Sequence, residues 1–215
     1  MTQQAMLAGA TGLVGRELLT QLVASRDYAA VHVLVRRFEP ALASTPKVVL
    51  HVVNFDDLPP LPAADDVYVA LGTTIKVAGS EEAFRKVDHD YVVAVARAAR
   101  SSGARRLGVV SALGANAASR VFYNRVKGEM QLAVAELGYG SVVFAQPSLL
   151  LGDREALGQP TRSGEAWARR LFEPMASLVP ARVRPVRARA VASALIRAVL
   201  AAPSGVSFVE NRTIH

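Results

Sequence analysis

The sequence predicts a three-layer, doubly wound α/β fold around a parallel sheet. Three observations carry this. Short, continuous apolar runs recur along the chain, longer amphipathic stretches separate them, and a loop with glycines three apart links the first run to the first helical stretch. Runs that are apolar at every position suit strands buried on both faces. Strands alternating with helices imply parallel pairing through right-handed crossovers. The chain has 215 residues, of which 51% are hydrophobic and 20% charged. That is enough for one globular domain, 1–215, with a substantial core.

The elements follow in order. Ala5–Ala8 is the first strand, and Leu13–Ala24 the first helix. Val31–Val35 and Val48–Val52 are the second and third strands. Pro59-Pro60-Leu61-Pro62 forms a stiff connector to the fourth, Asp66–Ala70. Glu81–Ser101 reads as one long helix with Ser80 as its N-cap. The fifth strand, Leu107–Val110, leads to a helix over Val121–Leu137 and a sixth strand, Val142–Ala145. Residues 152–185 are rich in Pro, Gly and Arg and form an insert beyond the sixth strand, with a helix at Glu165–Leu178. Inserts beyond strand ends commonly shape a substrate site. A helix at Ala188–Ala201 and a strand at Val206–Val209 close the chain.

Composition removes several classes of function. There is no cysteine, which excludes disulfides, thiolate chemistry and cysteine-bound zinc. The histidines at 32, 51, 89 and 215 share no metal-ligand spacing, so no metal site is expected. The net charge of +7 invites nucleic acid. However, the basic residues are dispersed, only 6% of residues are aromatic, and no nucleic-acid-binding pattern occurs, so no such partner is expected. The amino terminus lacks a basic leader and no apolar stretch reaches the length of a membrane span. The expectation is a cytoplasmic protein without a membrane partner.

Gly9-Ala10-Thr11-Gly12-Leu13-Val14-Gly15 joins the first strand to the first helix. Glycine permits the tight turn and lets backbone N–H groups approach a pyrophosphate. The helix N-terminus adds partial positive charge there. A dinucleotide cofactor is therefore expected. An acid usually ends the second strand where the ribose 2′-hydroxyl is to be bound. Here that strand ends in Arg36-Arg37. Two guanidinium groups suit a 2′-phosphate, so NADPH/NADP is preferred over NAD.

Tyr123 and Lys127 are four apart in a helix and share a face. A phenol ordinarily titrates near pH 10. A neighbouring ammonium favours the phenolate and fits the tyrosine for proton transfer to a substrate oxygen. Lys127 also suits the nicotinamide ribose. Ser111 lies just past the fifth strand, where its hydroxyl can orient a carbonyl.

These residues resemble the atypical short-chain dehydrogenases/reductases, and more narrowly the family of the HIV Tat-interacting oxidoreductase. The carrying segments are Leu7–Gly12, Ala70–Thr74, Phe84–Asp88, Tyr123–Glu129 and Glu210–His215. The resemblance implies a Rossmann fold binding NADPH. It implies Tyr123 and Lys127 as the acid–base pair, with Ser111 as partner. It places Leu71, Gly72, Thr73 and Thr74 beside the cofactor, and Pro147 and Leu149 along the nicotinamide. Asp56 would contact the adenine amino group or cap a helix. The oligomeric state implied is a monomer or a homodimer through the Tyr123 helix. The turn after the fourth strand reads Leu-Gly-Thr-Thr where many relatives have Asn-Ala-Gly, and Gly79–Gly103 lacks the helical asparagine many use.

The expected function is NADPH-dependent hydride transfer to a small carbonyl substrate. A non-enzymatic, NADPH-binding regulator or scaffold is the alternative. A nucleotide-sugar epimerase or dehydratase fits less well, because those need a larger carboxyl-terminal substrate domain. Arg182, Arg184, Arg187 and Arg189 form a basic cluster for an anionic ligand or for solvent.

Overall fold

The computed structural model describes residues 3–151 and 184–214. A seven-stranded sheet runs through it, with every neighbouring pair parallel. In chain order the strands are β1 (Gln3–Ala8), β2 (Tyr28–Val35), β3 (Val48–Val52), β4 (Asp66–Val69), β5 (Arg106–Val110) and β6 (Ser141–Gln146). Next come the two-residue strands β7 (Leu150–Leu151) and β8 (Val186–Arg187), which pair with each other, and then β9 (Gly205–Glu210). The sheet order is β3-β2-β1-β4-β5-β6-β9. This is a Rossmann-type doubly wound sheet, and the order reverses between β1 and β4.

The helices are α1 (Leu13–Ala24), α2 (Pro40–Ala43), α3 (Ile75–Ala78), α4 (Glu81–Arg85), α5 (Tyr91–Ser101), α6 (Phe122–Ala135) and α7 (Ala188–Ala201). Alternating strand residues divide the core in two. Ala5 and Leu7 of β1 join Val31 and Val33 of β2 beneath Leu18 and Leu22 of α1 and Val191 and Leu195 of α7. Met6 and Ala8 face the other way, with Val67, Leu107 and Phe144, against Val92 and Ala96 of α5 and Met130 and Val134 of α6. This two-faced burial is why the inner strands are largely apolar, whereas the edge strands β3 and β9 leave Val49, Val52, Val206 and Phe208 exposed.

The structure corrects the single helix expected over Glu81–Ser101. A π-helical segment, Lys86–Asp90, divides it into α4 and α5. Such widened turns frequently accompany functional sites, and Asp88, 1% exposed, lies in this one. The helix expected at Glu165–Leu178 falls outside the described residues, as does nearly all of the 152–185 insert. The strands β7 and β8 flank that insert.

Two buried polar networks were not expected from sequence. At the amino edge of the sheet, Asp66 accepts from Tyr28 Oη at 2.5 Å and from Arg106, which also donates to Gln3 Oε1 at 2.7 Å. Burial pushes the Tyr28 phenol well up from its ordinary value, and the Tyr68 phenol charge and the Asp66 contacts add to that. On the sheet face, His32 Nδ1 lies 2.9 Å from His51 Nε2, and His32 Nε2 lies 2.7 Å from Gln4 Oε1. The Gln4 oxygen only accepts. His32 therefore carries a proton on Nε2, and when it is neutral its Nδ1 accepts from His51.

Burial lowers both histidine pKa values, and the His51 charge adds to the effect on His32. An unfolded chain binds these protons near pH 6.5, before the folded one does. Stability therefore falls as pH drops below about 6.5. The urea midpoint is expected to decline between about pH 6.5 and 5, and less steeply in His32→Gln/His51→Gln. Equal declines in both proteins would refute this.

Candidate active site

The residues singled out by sequence gather along the carboxyl edge of the sheet, around the β1–β4 reversal. The chain leaves β1 at Gly9 with φ +92°. A Cβ there would lie 2.6 Å from the Ala70 carbonyl carbon, at the end of β4. One at Gly15 would lie 1.9 Å from the Gly9 oxygen. Gly12 N donates to Gly9 O at 3.0 Å and closes the turn. Gly12 is the N-cap of α1, so no side chain caps the helix, and its first turn has no acid. The first-turn N–H groups, around Leu13 and Val14, thus form an anion-attracting terminus. Buried Ala10 and exposed Thr11 complete the turn. The absence of side-chain bulk and the uncapped amides fit a dinucleotide pyrophosphate.

Arg36 and Arg37 are exposed immediately beyond β2. Asp56, beyond β3, pairs with Lys86 Nζ at 2.7 Å and accepts from Tyr91 Oη at 3.1 Å. The Lys86 hydrogen bond holds its carboxyl below the usual carboxylate range. Asp56 caps no helix; it ties the β3 loop to the π segment.

The turn after β4 roofs the proposed catalytic group. Thr73 N donates to Asp88 Oδ2 at 2.8 Å, and Asp88 Oδ1 pairs with Lys127 Nζ at 2.7 Å. The two side chains are 1% and 4% exposed. Gly72 sits directly above, where a Cβ would lie 3.3 Å from Asp88 Oδ1 and 3.9 Å from Lys127 Nζ. Thr74 turns its hydroxyl to Val77 N at 3.1 Å and caps α3. Burial works against the Lys127 ammonium, but the charges of Asp88 and Tyr123 outweigh it and raise its pKa. Tyr123 is thus within electrostatic reach of Lys127, and its ring packs against buried Phe84 at 5.4 Å.

Ser111, 5% exposed, accepts from Gln131 Nε2 at 2.6 Å. Tyr123, Lys127 and Gln131 succeed one another at four-residue steps along α6. That spacing puts them on one face. Sequence reasoning missed both Asp88 and Gln131. The available signals were the four-residue step to Gln131 and an acid inside an otherwise amphipathic helix.

Pro147 O accepts from Leu113 N at 2.9 Å, and Leu149 O from Val186 N at 3.0 Å. Buried Asn211 accepts from Ser148 N at 2.7 Å and donates to Arg184 O at 2.9 Å. It fixes the Pro147–Leu149 segment against the chain that returns from the insert. A cavity of about 720 Å³ lies at the opposite, amino edge, lined by Gln3, Asp65, Arg106 and Ser141 among others. It is remote from the carboxyl-edge residues and belongs to the Asp66–Arg106 network. Among the described residues, no metal-ligand cluster occurs and no helix is long and apolar enough to cross a membrane.

Residues 9–137, more than half of the chain, match the family described as NAD(P)H-binding. The mitochondrial protein FMP52 of Eremothecium gossypii is 37% identical over 152 residues, covering 70% of this chain and 68% of that protein. The mitochondrial protein fmp52 of Emericella nidulans is 35% identical over 174 residues, covering 76% and 72%. Among solved structures, MoeE5 in complex with UDP-glucose and NAD matches with a TM-score of 0.69 at 15% identity, covering 96% of this chain and 76% of that one. The Helicobacter pylori ADP-L-glycero-D-manno-heptose-6-epimerase matches with a TM-score of 0.69 at 18% identity, covering 97% and 76%. At these identities the structures share the fold alone. The names of the sequence relatives overturn the cytoplasmic expectation, since those proteins are mitochondrial. A missing basic, apolar leader speaks only against secretion, since mitochondrial addresses have a different, amphipathic and Arg-rich pattern.

Proposed function

Because the chain belongs to the NAD(P)H-binding family, we propose that it is an NADPH-dependent reductase of the short-chain type acting on a small carbonyl compound. By the names of its relatives it works in mitochondria. The observation that carries the reading is that Tyr123, buried Lys127 and Gln131 follow at four-residue steps on α6, where Gln131 holds Ser111 beyond β5, at the sheet edge that also presents the Gly9–Gly15 turn.

The α1 amides and the Gly9–Gly15 turn hold the pyrophosphate, and Arg36 and Arg37 take the 2′-phosphate. The Leu71–Thr74 turn, Pro147 and Leu149 flank the nicotinamide end, with Asp56 toward the adenine. When bound, the cofactor supplies the hydride. Ser111 receives a hydrogen bond from Gln131, which leaves its own O–H to donate to the carbonyl oxygen. Tyr123 gives that oxygen its proton, and Lys127 stabilises the phenolate left behind.

A fluorescence titration tests the cofactor half. NADPH is expected to bind more tightly than NADH. Arg36→Ala should cost NADPH about tenfold or more, the worth of a hydrogen bond to a charged group, and leave NADH unchanged. Binding of neither cofactor would overturn the reductase reading and leave a scaffold on a Rossmann core.

A further inference from the structure

Lys127 presents an unusual situation for a lysine. Its side chain is 4% exposed, and it ends against a carboxylate that is itself 1% exposed. A buried ammonium without a partner gives up its proton readily. The Asp88 carboxylate has a second tether, the Thr73 N–H at 2.8 Å. That tether belongs to the turn in which Gly72 leaves room for the pair, because a side chain there would press on Asp88 Oδ1 from 3.3 Å.

We propose that Asp88 is a positioning residue: its carboxylate keeps Lys127 a charged ammonium in a buried setting and pins it beneath the turn that follows β4. For its catalytic consequence the inference rests on the reductase reading above, in which Lys127 must stay protonated to serve Tyr123 and the ribose. Asp88 touches neither substrate nor cofactor in this arrangement; it acts through the lysine.

The Tyr123 phenol supports the ammonium only as a phenolate, and the other neighbouring charges do not substitute for Asp88. On α4 and the π segment, Arg85 pairs with Glu129, Lys86 with Asp56, and His89 with Asp90. On α6, Arg125 lies over the Phe122 ring and donates to Ser119 O. On α5, Arg97 is exposed, and Arg100 is exposed and donates to Gly138 O. Beyond the β4 turn, Lys76 is exposed on α3. Ser111 and Gln131 carry no charge. Among the described residues, Asp88 is the carboxylate paired with Lys127.

The sequence contains four lysines, at 47, 76, 86 and 127. Nitrogen-15 NMR of the lysine side chains, with Lys127→Met to assign the signal, therefore reads Lys127 directly and needs neither cofactor nor substrate. In the native protein the Lys127 ammonium should persist to alkaline pH. In Asp88→Asn it should lose its proton at least about one pH unit lower, and Asp88→Glu should restore much of the difference. The alkaline limb of carbonyl reduction should move to lower pH in step with the NMR titration. An unchanged Lys127 titration in Asp88→Asn would overturn the inference. A shifted titration in a protein that neither binds NADPH nor turns over would uphold it while removing the reductase reading. If Asp88→Asn does not fold, Asp88→Asn/Lys127→Met decides. Recovery of the fold traces the loss to the unpaired ammonium, as expected, and continued unfolding overturns the inference.

Discussion

Tyr123→Phe is expected to abolish carbonyl reduction while leaving NADPH binding intact. The substitution removes one oxygen and keeps the ring that packs on Phe84, so α6 retains its seat. Loss of a general acid costs roughly 10²–10⁴ in rate. The cofactor contacts proposed here lie on the α1 turn, Arg36 and Arg37, Asp56, the β4 turn, the Pro147–Leu149 segment and, for the ribose, Lys127, and none uses the phenol. The expected result is a fall in kcat of that size with an unchanged NADPH dissociation constant, measured by stopped-flow hydride transfer and by fluorescence titration. Undiminished turnover in Tyr123→Phe would remove the tyrosine from the chemistry. Weakened NADPH binding would instead mean that the ring shapes the cofactor site.

What the sequence disclosed and what it withheld follow one physical division. The Gly9–Gly15 turn was legible because its cause is local: the clashes that exclude a side chain at Gly15 come from Gly9 itself, six residues away. The inner strands were legible because both sheet faces are covered there, so their central residues are largely apolar. Tyr123 and Lys127 were legible because a helix converts a spacing of four into a shared face. Asp88 was not legible. Its partner is 39 residues away, and a π turn, which departs from the 3.6-residue period, places it. His32 and His51 share no metal-ligand spacing in sequence, and strand register alone sets them side by side. Asn211 likewise acquires meaning only when the carboxyl-terminal segment returns to β6.

Gly128→Ala should be among the most damaging single substitutions outside the proposed chemical groups. Gly128 directly follows Lys127 on α6, and a Cβ there would lie 2.1 Å from Ala117 N and 2.2 Å from Asn116 C. Both are backbone atoms and cannot turn aside as a side-chain tip could. The loop they belong to follows Ser111, and it is bound to α6 by Asn116 N donating to Asn124 O at 2.9 Å. Relief therefore requires the helix and the loop to separate, which moves Tyr123 and Lys127 away from Ser111. Overpacking of this kind costs about 1–3 kcal/mol, which for a chain of this size lowers Tm by roughly 3–10 °C. The effect on chemistry should be larger, because a misplacement near 1 Å can cost about 10² in rate. Binding of NADPH should weaken less, because only the Lys127 contact to the ribose moves while the Gly9–Gly15 turn and Arg36 stay in place across the sheet. Gly15→Ala would give the opposite pattern, with cofactor binding lost first, since its Cβ would collide with the Gly9 oxygen inside the cradle. If Gly128→Ala melts with the native protein and reduces carbonyls at the native rate, the contact between α6 and the Ser111 loop is not what aligns the site.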